Sequence, residues 1–156
     1  MAQPAAPRRR ESDDRPRPAL IAPTPPGPLG DPDPDGVLRS IDMALGAARK
    51  GRRHLVLLAV SVSDDPGMAA ESRLEQVATI MRNMVRGTDG IWRDGPQSIA
   101  VLLADVDGPS VEPVLARIRL RLKKEMPGRT RMGRSAAAPG IGAADLLDLA
   151  RGDRDR

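Results

Sequence analysis

"RGTDGIWRDGPQSIAVLL", residues Arg86 to Leu103, sets a short apolar run on each side of a Gly-Pro pair. "GIWR" and "SIAVLLADV" are strand-length, and the "DGPQ" between them consists of turn formers, so the stretch predicts a β-hairpin. Upstream, "HLVLLAVSV" (54–62) is a continuous run rich in Leu and Val bounded by turn residues, which suits a central strand buried on both faces. Between the two, Leu74, Val77, Ala78, Met81, Met84 and Val85 recur at spacings of three and four. That periodicity predicts an amphipathic helix, for which "SDDPG" (63–67) offers a cap and a Pro at the start.

The flanks continue the pattern. Val37, Leu38, Ile41, Leu45 and Ala48 share one helical face after an N-cap at Asp35, and "RKGRR" closes that helix with positive charge and a Gly. "GPSVEPVLARIRLRLKKEM" (108–126) predicts another helix, with Ser110 as cap, Pro113 in the first turn, and Val114, Leu115, Ile118 and Leu122 facing inward. A weaker strand around "TRMGRSAAA" and a short helix around "AADLLDLA" end the series. The order α-β-α-β-β-α-β-α implies an α+β fold, ferredoxin-like, with an antiparallel-rich sheet and helices packed on one face.

Composition divides the chain. Ten of the sixteen prolines precede residue 36, in a segment mixing Pro, Arg and Asp with almost no bulky apolar residues. Such a segment cannot bury enough surface to offset the entropy of ordering, so residues 1–35 are expected to form a disordered or polyproline-like tail. About 120 residues remain, a size that supports one modest core. The expected domain is 36–150, followed by a polar C-terminal tail at 151–156.

The absence of Cys removes disulfide and thiolate chemistry. The longest apolar run, "LVLLAV", is far too short to span a bilayer, and the Arg-rich start has no apolar stretch behind it, so the expectation is a cytoplasmic chain without a membrane span. The net charge of +4 is carried almost wholly by Arg, and Trp92 is the sole aromatic residue. Base stacking is therefore nearly closed as a binding route, which disfavours nucleic acid as a partner. His54 is the single imidazole and no "GxSxG" elbow occurs, so no nucleophile, base and orienting group assemble.

The run from Val85 to Leu122, "VRGTDGIWRDGPQSIAVLLADVDGPSVEPVLARIRLRL", resembles the GGDEF domain family, whose active members are diguanylate cyclases making cyclic di-GMP from two GTP. The family run is Val-Arg-x-x-Asp, a strand, an Arg, the GGDEF loop, an apolar strand and a helix containing Ala-x-x-Ile-Arg. Looser similarity extends from Asp35 to Ala150.

On that pattern Gly95 keeps the first signature glycine. Pro96, Gln97, Ser98 and Ile99 stand at the second glycine, the two carboxylates and the phenylalanine. On the first strand, where the family has Asp-x-Asp or Asp-x-Asn, this chain has Ser61 and Ser63. Hard cations such as Mg²⁺ need carboxylate oxygens beside a triphosphate, and neutral side chains replace them poorly, although Asp64 or Asp94 stands nearby. The family's Phe-Lys-x-x-Asn-Asp segment is missing, which shortens the connection after the strand by roughly seven residues and brings Glu71 near the family's guanine-binding Asp. A solvated first-turn Glu is the plainer reading of Glu71.

Arg86 and Asp89 match the Arg-x-x-Asp pair that binds the product at an inhibitory site in many members, with Arg93 or Arg117 as a further cation. The structural alternative is an Arg at a helix C-terminus and an Asp in a turn. The basic stripe Arg117, Arg119, Arg121, Lys123 and Lys124 reads either as phosphate contacts or as a solvated helix face.

The resemblance therefore implies a degenerate GGDEF-like domain, not an enzyme, needing no cofactor and acting as a regulatory or protein-interaction module toward a protein partner or an oligomer. The alternative is a cyclic di-GMP receptor through Arg86 and Asp89, and the third reading is a basic nucleic-acid-binding module.

Overall fold

A computed structural model describes residues 29, 31–63, 67–86, 89–128 and 130–156. Among them the elements follow the expected order: α1 (Pro34–Gly51), β1 (Leu55–Val62), α2 (Ala70–Met84), β2 (Gly90–Gly95), β3 (Ser98–Ala104), α3 (Gly108–Glu125), β4 (Thr130–Ala136) and α4 (Ala143–Arg154). The sheet order is β2-β3-β1-β4, and each neighbouring pair is antiparallel. β1–α2–β2 and β3–α3–β4 each cross over one intervening strand, which is the split βαβ connection of ferredoxin-like sheets.

Helices cover both faces of this sheet, not the one face expected from sequence. Strand alternation on β1 makes the division: Val56, Leu58, Val60 and Val62 enter a core with Leu74, Val77 and Met81 of α2 and Leu115, Ile118 and Leu122 of α3. Leu55, Leu57 and Ala59 enter a second core with Ile41, Ala44 and Leu45 of α1 and Leu146, Leu147 and Ala150 of α4. Each fully buried Leu, Ile or Val here stabilises the fold by about 1.5–3 kcal/mol. The continuous apolar run at 55–60 is thus the signature of a strand sandwiched between two cores.

Several boundaries differ from the sequence reading. The cap of α1 is Asp33, whose Oδ1 accepts from the Gly36 N–H at 3.0 Å, and Asp35 sits in the first turn. The left-handed residue after α1 is Arg52 (φ 52°), and Gly51 stays helical. α2 begins at Ala70 with no side-chain cap; residues 64–66, within the "SDDPG" expected to supply one, lie outside the described residues.

Asp107, not Ser110, caps α3, accepting from the Ser110 N–H at 2.7 Å, so Pro113 falls inside the helix. Finally, α4 continues through Arg151 to Arg154, past the domain end expected at residue 150. Of the leader expected at 1–35, residues 1–28 and 30 lie outside the described residues.

Candidate functional site

Gly95 pairs with Ser98, which leaves Pro96 and Gln97 as a two-residue turn, and the register shifts between Arg93 and Gly95. Neither turn residue has positive φ. Pro96 supplies the fixed φ that the first central position of an ordinary turn needs, while the bulge at Asp94 adds strand twist. Gly95 is constrained by space, since a Cβ there would come 2.7 Å from Ser98 Oγ. The hairpin expected from sequence is present.

Arg93 wraps this turn. Its Nε donates to the Gly95 carbonyl at 3.2 Å, Nη2 to the Pro96 carbonyl at 3.2 Å, and Nη1 reaches Glu71 Oε1 at 3.3 Å. The pair joins the hairpin to the first turn of α2, although Glu71 is exposed and the ion pair itself is weak. Glu71 and Arg93 also line a groove of about 530 Å³ with Ser72, Glu75 and Leu29. Leu29 closes it by donating its N–H to Glu75 Oε1 at 2.7 Å.

Ser61 on β1 lies directly opposite Ser98 on β3. Parity puts both on the side of the sheet covered by α1 and α4. Ser98 Oγ donates to Asp94 Oδ1 at 2.6 Å, and Arg151 Nη2 of α4 donates to Asp94 Oδ2 at 3.0 Å. The Asp94 side chain is 0% exposed, with both oxygens engaged. Gln97 contributes its carbonyl to the Val62 N–H at 2.9 Å, and Ile99 is buried in the core shared with α2 and α3. A carboxylate already held by a hydroxyl and an arginine, with only a second serine across the strand pair, does not fit a hard divalent cation. Asp64, the other nearby carboxylate in the sequence, lies outside the described residues.

At the opposite end of β2 the structure brings Arg86 and Asp89 together, but through backbone. Asp89 is buried; its Oδ2 accepts from the Arg86 N–H and its Oδ1 from the Ala104 N–H, both at 2.8 Å. The exposed Arg86 donates through Nη2 to the Ala104 carbonyl at 3.3 Å. The motif brackets the entry to β2 against the end of β3. Arg93 is not part of this cluster, and Arg117 is exposed on α3.

Two features escaped sequence reasoning. Arg73 in α2 is 2% exposed, and among the described residues its Nε and Nη1 have no hydrogen-bond partner; a lone Arg within a helical repeat carries no signal of burial. The Arg151–Asp94 contact joins residues far apart in the chain, across a packing that no local pattern encodes.

The sequence matches no protein-family model and no curated protein. The fold is nonetheless that of GGDEF diguanylate cyclase domains. Similar solved structures include the active GGEEF domain of a diguanylate cyclase from Vibrio cholerae (14% identity, 80% of this chain and 88% of that chain, TM-score 0.67). The GGDEF domain of TpbB (YfiN) from Pseudomonas aeruginosa is also similar (21% identity, 81% and 84% covered, TM-score 0.67). So is the GGDEF domain of DgcB from Caulobacter crescentus, solved in complex with c-di-GMP (17% identity, 76% and 84% covered, TM-score 0.61). Among the described residues no helix is long and apolar enough to cross a membrane.

Proposed function

We propose that this chain is a catalytically silent domain of the GGDEF fold, acting in the cytoplasm as a regulatory module through contact with a protein partner. The observation that carries the reading is the pairing of Ser61 with Ser98. The positions at which the resemblance puts metal-holding carboxylates face each other across the sheet, and both carry neutral hydroxyls. Asp94 does not substitute for them, because Ser98 and Arg151 take up its two oxygens and burial keeps water and cations from it. Arg93 supports the same reading: it is spent on holding the turn. The domain proposed for this role runs from the Asp33 cap through α4, with the proline-rich leader ahead of it.

The test is turnover of GTP by the purified chain with Mg²⁺ or Mn²⁺, followed by chromatography of nucleotides. The expected outcome is no cyclic dinucleotide and no pyrophosphate above a protein-free control; product that scales with protein concentration would overturn the proposal.

A second reading, dinucleotide binding at Arg86, draws support from the DgcB domain solved with c-di-GMP. In this chain Asp89 is saturated by backbone donors, so recognition would fall to Arg86. Calorimetric titration with c-di-GMP on the wild type and Arg86→Ala separates the readings. Saturable binding lost in the variant favours the receptor, and no heat in either favours the silent module.

A further inference from the structure

The sheet edge opposite β2 is formed by β4, and α3 packs beside it. β4 is the outermost strand, paired with β1 on one side. On its other side the Arg134 N–H is taken by Asp153 Oδ2 at 2.9 Å, so α4 closes that part of the edge. Ladder geometry repeats every second residue, so the N–H and C=O of Met132 point the same way as those of Arg134. No described strand or side chain pairs with them there.

Beside this open stretch runs a groove of about 370 Å³. Leu122, Met126 and Met132 give it an apolar floor, and Arg119 and Lys123 stand one helical turn apart on its rim. The outer surface of α3 is strongly basic. Of its carboxylates, Glu112 pairs with Arg134 and Glu125 with Arg121. Arg117, Arg119, Lys123 and Lys124 have no carboxylate partner among the described residues, and Leu120 is 69% exposed in their midst.

We propose that this face docks an acidic protein segment with interspersed apolar residues, which extends the sheet as an added strand on Thr130–Met132. This rests on the reading of the domain as an interaction module and names the chemistry of its partner. The open backbone groups of Met132 would supply main-chain hydrogen bonds, and the apolar floor would take alternate side chains. The unpaired cations supply the charge complementarity, which selects carboxylates and speeds encounter. A nucleic acid fits less well, because the groove is floored by aliphatic and thioether groups and the sole aromatic residue, Trp92, is on β2 at the other edge of the sheet.

The experiment is fluorescence anisotropy on the full chain with a labelled peptide of alternating Glu and Val. Its Lys/Val counterpart and a single-stranded oligonucleotide serve as competing probes. The expected result is saturable binding of the Glu/Val peptide, weakened about tenfold or more in Arg119→Glu/Lys123→Glu. Peptide binding should also slow hydrogen exchange at the Met132 amide. Arg119→Gln/Lys123→Gln replaces the reversed-charge variant if a thermal melt shows the latter unfolded. No binding of the Glu/Val peptide, undiminished binding by the variant, tighter binding of the oligonucleotide, or a bound peptide that leaves Met132 exchange unchanged would each overturn the proposal. GTP turnover reads out separately: a chain silent toward GTP that ignores the peptide loses this docking face and keeps its standing as a silent module.

Discussion

Asp89 shows how a residue that resembles a ligand-binding motif can be claimed by the backbone. Both of its oxygens accept main-chain N–H groups, one of them the buried Ala104 N–H. Asp89→Ala leaves that donor without a partner and is expected to lose about 1–3 kcal/mol of stability in denaturant titration. Arg86→Ala removes one long bond from an exposed side chain and should stay within about 0.5 kcal/mol. Equal losses from the two would contradict the bracket described above. That the two lie close together follows from the sequence, since three positions apart leaves little choice. It did not reveal what they touch, because the Ala104 amide comes from the far end of β3.

At the scale of the element, α3 begins where a carboxylate meets the helix N-terminus. The hydroxyl of Ser110, and then its backbone N–H, hold the Asp107 carboxyl below the usual carboxylate range. A group whose folded pKa is lowered stabilises the fold fully above its unfolded value of about 3.9, and that stabilisation disappears as pH falls through the lowered folded value. Thermal melts of the wild type taken down to about pH 3 should therefore show a loss that Asp107→Asn, which keeps a capping acceptor without a charge, does not share. A parallel acid limb in the variant would assign the loss elsewhere. Element type and order were legible from periodicity and turn residues, but the caps were not. "DPDPD" offers three aspartates within reach of one helix start, and the choice of Asp33 follows from where Pro34 can sit in the first turn.

For the whole molecule, the placement of α4 decides the character of the hairpin. Gly133 on β4 lets that helix lie against the sheet: a Cβ there would meet the Arg154 amide nitrogen and the Ala150 carbonyl, atoms that cannot rotate away. Gly133→Ala is expected to cost about 1–3 kcal/mol in chemical denaturation by lifting α4, and with it the Arg151 contact to Asp94. Unchanged stability would mean that the helix has freedom the packing denies it. The polar ending "RGDRDR" read as a tail because helices are recognised by apolar periodicity, and these residues have none. Residues 151–154 are nonetheless helical, where Arg151 reaches Asp94 and Asp153 reaches the Arg134 amide. By itself the sequence determined the strands, the helices, their order and the hairpin with its altered turn, all set by local periodicity and local backbone chemistry. Only the tertiary structure decided that both sheet faces are covered, that Ser61 faces Ser98, and that Asp94 is engaged by α4. Those facts depend on register and packing between residues distant in the chain, which no local pattern of side chains specifies.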